Sequence, residues 1–333
     1  MLTIADVAER DLIARIRSRS ALPQPAWVTV GIGDDAAVVE NERNHLQVLT
    51  TDTLVDGVHV DRRFTPPAAI GHRALAVNLS DLAAMGARPR MVLLSMALPA
   101  DLPLADFEAL ADGFGALAAA HHVPLVGGNL TRTPGPLTLD VTAIGSARRR
   151  QVLRRDTAKA GHEVYVTGTV GSARAGLACL QQAHAGQGEV PADMRDAVRA
   201  YLSPDPRVRA GLLAARNHAA SACMDLSDGL ADAVLQVAEA SGVGMQLTAA
   251  ALPIAAAVRA WAEARGLDPV HEALAGGDDY ELLFTVPRRT RRAFLAALRL
   301  SGVAVTRLGV CTPEPGVFLD GTAVTLTGFR HFR

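Results

Sequence analysis

The sequence predicts two domains of mixed architecture: an α+β sheet-plus-helices domain over residues 1–147 and an α/β domain over residues 148–333. Three observations carry that expectation. The length of 333 residues is enough for two ordinary domains. Short apolar runs of strand character recur along the whole chain between longer runs with helical spacing. An arginine-rich stretch at 148–155 reads as a connector between the two series.

In the first series, residues 4–18 read as an amphipathic helix with Ile4, Val7, Leu12, Ile13 and Ile16 along one side. Strands follow at 27–30, 37–39 and 46–51. A long helix spans 66–85, opened by prolines and stopped at Gly86. A strand at 91–98, a helix at 104–121 and strands at 123–126 and 137–144 complete the domain. In the second series, strands are expected at 163–167, 221–224, 242–248, 281–286, 303–310 and 324–326. Helices are expected at 171–182, 206–218, 229–241, 253–265 and 288–301. Residues 182–191, rich in Gly, Ala and Gln, read as a loop.

Composition removes several classes of function. Apolar residues make up 49% of the chain, so a sizeable core can form. A net charge of −1 and a pI near 6.8 leave no electrostatic footprint for nucleic acid or an anionic membrane. No apolar run reaches the roughly 20 residues a bilayer span needs, and the N-terminal residues do not resemble a signal peptide. Cys179, Cys223 and Cys311 are widely spaced and form no metal-type pair, which fits a reducing cytoplasm. Lys and Arg total 33, and Lys159 is the only lysine. It lies in Thr157-Ala158-Lys159-Ala160-Gly161, outside any Gly-Lys-Ser/Thr phosphate loop, and no His-Arg-Asp tripeptide of a protein kinase occurs. A nucleotide would therefore be met by metal ions and arginines. The arginine bias of the surface is equally well read as genomic base composition.

The aspartates are the informative residues. They recur at the ends of apolar runs: Gly31-Ile32-Gly33-Asp34-Asp35-Ala36-Ala37, Thr50-Thr51-Asp52-Thr53, Asn78-Leu79-Ser80-Asp81-Leu82, Asp225-Leu226-Ser227-Asp228-Gly229, and Gly276-Gly277-Asp278-Asp279-Tyr280-Glu281. Any one of them is explained by capping or a turn. Asp81 resists that explanation, because it lies in an otherwise apolar helix with Asn78 one turn earlier on its face. Converging carboxylates with few nearby cations suggest Mg²⁺ ions bridging phosphate oxygens. Gly31–Ala36 also fits the loose dinucleotide pattern G-x-G-x-x-A, but adjacent carboxylates and a following strand argue against it. His59, just past the Asp52 segment, is either a surface-loop histidine or a contact residue.

Taken together and in order, these motifs resemble the thiamine-monophosphate kinase family, from about Ile4 to Phe332. Asn78–Ala87 is the most specific match; Thr51–His59, Val126-Gly127-Gly128-Asn129 and Tyr165-Val166-Thr167-Gly168 support it. The resemblance implies a two-domain fold like that of aminoimidazole ribonucleotide synthetase, with N-terminal sheets paired across a homodimer. It implies direct transfer of the ATP γ-phosphoryl group to thiamine monophosphate, assisted by several Mg²⁺ ions and needing no general base. It assigns metal ions to Asp35, Thr50, Thr51, Asp52, Asp81, Asn129, Asp225 and Asp228. ATP falls to Gly128, Asn129, Arg155 and Ser227, and thiamine monophosphate to His59, Asp278 and Phe329. A monovalent cation beside the several Mg²⁺ ions is compatible with the resemblance.

The chain departs from the family pattern in three places. Asn129 stands where many relatives carry Asp, so it either holds a metal more weakly or serves the nucleotide. Asp278 stands where others carry Glu, and Phe329 where others carry Tyr. Phe329 reads equally as a ring-stacking residue or a C-terminal plug. Among related activities, selenophosphate synthetases would need an N-terminal Cys with a Lys, and hydrogenase-maturation relatives end in cysteine; neither feature is present. A metal- or nucleotide-binding protein without catalysis is the alternative of a different class.

Overall fold

The computed structural model describes residues 2–19, 22–216 and 218–325. The chain folds into two compact units, residues 1–82 with 88–148, and residues 83–87 with 149–333.

The first unit holds α1 (Glu9–Arg19), β1 (Val28–Val30), β2 (Val38–Val39), β3 (Leu46–Val55), α2 (Pro67–Ala84), β4 (Arg88–Pro99), α3 (Leu104–Ala120), β5 (Leu125–Thr133) and β6 (Thr138–Ala147). Helix α2 crosses the unit boundary after Leu82. The expected helix at 4–18 is broken. The Asp6 carboxylate accepts from both the N–H and the hydroxyl of Thr3 at 2.9 Å, closing a single 3₁₀ turn at Ile4–Asp6. Val7 is then extended, and α1 restarts at Glu9. Strands β1 and β2 form a separate antiparallel ribbon, and the other four form one sheet in the order β3-β6-β4-β5. Helices α2 and α3 press close together: a β-carbon on Gly71 would sit 2.0 Å from the Leu110 carbonyl, and one on Gly113 1.9 Å from that of Ala68. Their apolar faces, with Ile70, Leu75, Leu79, Phe107 and Leu110, are buried along with Val92, Leu94, Met96 and Leu98 of β4.

Two strands run further than the sequence suggests. β3 continues through Thr51, Asp52 and Thr53 to Val55 because β6 pairs with it in unbroken antiparallel register over its whole length. Asp52 is therefore a mid-strand residue and not a strand end. The segment Gly127-Gly128-Asn129, beyond the strand expected at 123–126, lies inside β5, where the parallel ladder with β4 satisfies its backbone.

The second unit contains β7 (Glu163–Thr167), α4 (Ser172–His184), α5 (Arg195–Leu202), α6 (Val208–Arg216), β8 (Ala222–Asp225), α7 (Leu230–Ser241), β9 (Gly244–Leu247), α8 (Ala256–Glu263), α9 (Pro269–Ala275), β10 (Leu282–Val286), α10 (Arg291–Ser301), β11 (Val305–Thr312), β12 (Gly316–Leu319) and β13 (Thr322–Ala323). Its seven-stranded sheet has the order β13-β12-β9-β11-β7-β10-β8. Val164, Val166, Met224, Met245 and Leu283 of the sheet pack with Leu230, Val234 and Val237 of α7 to form its core. Helices α5 and α9 and strand β12 go beyond the sequence reading. The expected strand at 324–326 is not formed at Val324 and Thr325, and Leu326 lies outside the described residues.

Candidate active site

In the first unit, side-chain alternation sorts the candidate residues onto two faces of the sheet. Thr50 faces the helices, where its hydroxyl donates to the Asp81 carboxylate of α2. Asp52, two residues on, shares that face. Asn78, one turn before Asp81, is fully buried; its Nδ2 donates to the Ala74 carbonyl at 3.1 Å. Its Oδ1 has no donor among the described residues, an uncommon state for a buried acceptor. Asp35 lies exposed in the turn joining β1 to β2, with its N–H bonded to the Asp34 carboxylate at 2.8 Å. A strand follows that turn and not a helix, as expected from the rejection of a dinucleotide fingerprint.

Thr51 points to the other face. Its hydroxyl donates to the Val141 carbonyl at 3.1 Å and lies 3.3 Å from Asp140 Oδ1. Asn129 is exposed on this same face, in register with Ser95 of β4. The eight proposed metal residues thus do not form one side-chain cluster: Thr50, Asp52 and Asp81 occupy one face of the sheet, Thr51 and Asn129 the other. Gly128 is where it must be glycine, since a β-carbon there would sit 1.9 Å from the Leu94 carbonyl oxygen. His59 Nδ1 accepts the Val55 N–H at 3.1 Å, so in the neutral ring Nε2 carries the hydrogen and serves as donor.

In the second unit, Asp225 ends β8 and is buried; Ser227 is half-buried and Asp228 exposed, before Gly229 opens α7. Asp278 belongs to the turn before β10, and this turn is joined to the Asp225–Asp228 turn through backbone bonds. Asp278 N donates to Ser227 O at 2.7 Å, Tyr280 N to Leu226 O at 3.1 Å, and Leu226 N to Glu281 O at 2.8 Å. The Tyr280 hydroxyl donates to Asp278 Oδ1 at 3.0 Å. Arg155 is exposed; its Nη1 donates to Gln236 Oε1 at 2.6 Å, and Gln236 Nε2 donates to Asp232 Oδ2 at 2.5 Å. Both partners lie on α7. Phe329 falls outside the described residues.

Asp279 and Glu281, read in the sequence as members of an acidic cluster, have supporting roles, and Arg207, the partner of Glu281, escaped the sequence reading. Asp279 is buried and accepts the N–H groups of Gly171 at 2.6 Å and Ala173 at 3.1 Å, capping α4. Burial pushes its carboxyl up to about 7, against the pull of those two donors. Glu281, also buried, takes Arg207 through both oxygens at 2.8 and 2.5 Å, and the Thr167 hydroxyl at 2.6 Å. Capping and ion pairing at such distant positions leave no periodic signal. Lys159 lines a groove of about 720 Å³ with Thr157, Ser221 and Ser241, and none of the candidate residues faces it.

Among the described residues, no three His, Cys, Asp or Glu side chains lie close enough to hold a metal by themselves. The donors are carboxylates, hydroxyls and an amide. That all-oxygen chemistry suits Mg²⁺, which commonly takes one or two carboxylates and completes its shell with water and substrate phosphate.

Comparison with known proteins gives a consistent result. Residues 33–147 match the family described as AIR synthase related protein, N-terminal domain, and residues 159–321 its C-terminal domain. A thiamine-monophosphate kinase of Synechococcus elongatus is 39% identical over 90% of this chain and 91% of its own length. The crystal structure of thiamine-monophosphate kinase from Stenotrophomonas maltophilia superposes with a TM-score of 0.84 at 41% identity, covering 95% of this chain and 98% of that one. The structure of AaThiL complexed with AMPPCP and TMP superposes with a TM-score of 0.79 at 31% identity, over 100% and 99% of the two chains.

Proposed function

We propose roles for the site residues from the premise that this chain belongs to the thiamine-monophosphate kinase family of AIR synthase related proteins. It is a kinase that uses ATP to convert thiamine monophosphate to thiamine diphosphate. In our reading the γ-phosphoryl group passes in line and directly to a phosphate oxygen of the acceptor. That oxygen is already anionic, so the chain needs no general base; it must hold two mutually repelling phosphates in alignment.

Thr50, Asp52 and Asp81 from one face, Thr51 and Asn129 from the other, Asp35, and Asp225 with Asp228 form the Mg²⁺-holding set. The orphaned Asn78 Oδ1 beside Asp81 favours a cation or its water on that side. Mg²⁺ held by these residues would offset the negative charge of the phosphates. Gly128, Asn129, Ser227 and Arg155 receive ATP, Arg155 as a phosphate donor. His59 Nε2–H donates to the acceptor phosphate, Asp278 accepts from the aminopyrimidine, and Phe329 stacks on a thiamine ring. The observation that carries this assignment is the backbone ladder tying Asp278 to Ser227, which binds the acceptor turn and the nucleotide turn into one element.

A homodimer accords with the sheet of the first unit. The face away from α2 and α3 exposes Leu49 at 64% and Leu93 at 36%, an apolar surface that a second copy would cover. Three free, buried cysteines fit a reducing cytoplasm. The deciding assay is Mg²⁺-dependent ADP release with thiamine monophosphate, free thiamine or formylglycinamidine ribonucleotide as acceptor. Turnover with thiamine monophosphate alone is expected; equal or greater turnover with another acceptor would overturn the reading.

A further inference from the structure

The turn before β10 sets three consecutive side chains in three different surroundings. Asp278 is half-buried, Asp279 is buried against the first residues of α4, and Tyr280 is only 7% exposed. The backbone is strained while it does so. Asp278 and Tyr280 both have positive φ, a region that a bulky residue such as tyrosine enters only at a cost. The turn is held there by its bonds to Leu226 and Ser227, and it is pressed onto them: a β-carbon on Gly277 would sit 2.7 Å from the Ser227 carbonyl oxygen. The result is a reversal within two residues, which lets the Tyr280 hydroxyl reach back and donate to Asp278 Oδ1 at 3.0 Å. A buried tyrosine needs some partner for its hydroxyl, and a backbone carbonyl would serve. Here the partner is the carboxylate assigned to the acceptor.

We propose that Tyr280 is a positioning residue for thiamine monophosphate: by engaging Asp278 Oδ1 it fixes both torsions of the aspartate, so that the carboxylate meets the amino group of the pyrimidine in one set orientation. The inference rests on the assignment of Asp278 to that amine. A hydrogen bond to a carboxylate is stronger and shorter than one between neutral groups, so it can hold a rotamer. It does not exhaust the carboxylate, which has about four acceptor sites. An aspartate without this bond samples several rotamers and is ordered only when the substrate arrives, which lowers affinity about two- to tenfold. Tyr280 itself touches no substrate; it works through Asp278 alone.

A double-variant cycle on the full chain separates positioning from general support. Affinity for thiamine monophosphate is read by calorimetry with Mg²⁺ and a non-hydrolysable ATP analogue present, and affinity for the analogue is read separately. Tyr280→Phe removes one hydroxyl and keeps the ring. It should weaken thiamine monophosphate binding about three- to tenfold and leave analogue binding unchanged. Asp278→Gly removes the carboxylate and is at ease at positive φ. In that background Tyr280→Phe should have no further effect, because nothing is left to position. Each comparison is made within one background, so a modest loss of stability in Tyr280→Phe does not obscure the result. Equal weakening in both backgrounds, or for both ligands, would make the hydroxyl a general support and overturn the inference. Weakening by Asp278→Gly without weakening by Tyr280→Phe would also overturn it and leave Asp278 in the pocket. Wild-type affinity in Asp278→Gly would remove Asp278 from the pocket and the inference with it.

Discussion

The backbone N–H of Asp278 donates to the carbonyl of Ser227 at 2.7 Å, so the antiparallel pairing of β8 and β10 continues beyond both strands into the two turns proposed to meet the acceptor and the nucleotide. The acceptor turn is bent to make this possible: Asp278 and Tyr280 have φ of +67° and +49°. Aspartate is among the few residues that enter this region readily.

Asp278→Gly and Asp278→Ala separate side chain from backbone. Both should raise KM for thiamine monophosphate by about tenfold or more, the worth of one charge-assisted hydrogen bond, and leave KM for ATP nearly unchanged. The alanine variant should also melt below the glycine variant, because alanine at positive φ costs about 1 kcal/mol more. Equal losses for both substrates would make the turn a general structural support.

Asp52→Asn and Asp228→Asn should each lower kcat by two orders of magnitude or more with little change in melting temperature. A lost Mg²⁺ ligand is felt most as charge moves in the transition state. Both side chains lie where an amide fits without a new buried contact, Asp228 being exposed and Asp52 half-buried. Near-normal rates at saturating Mg²⁺ would return either residue to a turn or strand role.

Among the described residues Arg155 is held by an amide and by no carboxylate, which leaves its charge available to phosphate. Arg155→Ala should raise KM for ATP. Gln236→Glu should do the same by giving Arg155 a competing anion, and the rise should shrink as salt is added. A Gln236→Glu variant with wild-type KM in low salt would show that Arg155 does not meet the nucleotide.

Asp279 makes stability depend on pH. Burial lifts its folded pKa from 3.8 to about 7, so the native state holds a proton that the unfolded chain has released across this interval. Its contribution to stability falls as pH rises from about 4 through about 7 and is level above that. Asp279→Asn lacks this titration. The melting temperature of the variant relative to wild type should therefore climb between pH 5 and pH 8; a constant difference would mean that the two N–H groups of α4 keep the carboxylate ionised throughout.

How much of this was legible in the sequence depended on whether a feature had a local cause. Helix α2 was readable from its prolines, its apolar run and Gly86, and with it the anomalous Asp81. The Asp268-Pro269 pair was an equally clear start signal for α9, with the Asp268 side chain accepting the Val270 N–H at 2.9 Å, but the helix is too short to show periodicity. The extension of β3 to Val55 and the strand character of Gly127–Asn129 come from partners 83 or more and 34 residues away, and nothing local announces them. The opposite facing of Thr51 and Asp52 follows at once from strand alternation, yet only after Asp52 is known to be mid-strand.

The five residues 83–87 belong with the second unit although the chain on both sides belongs to the first. Met85 accepts the Leu153 N–H at 3.1 Å, and Gly86, at φ +63°, leaves room beside Ala215 and Leu153 for no side chain. During synthesis this short loop leaves the ribosome more than 60 residues before the first of its partners is made. The first unit can thus close its sheet while the loop waits, but the second can finish only by returning to a segment made long before it. A gene cut at 147/148 would divide the second unit's own fabric. Its two halves should need co-expression, or a copy of the 83–87 loop transplanted onto the C-terminal fragment, to form a stable product.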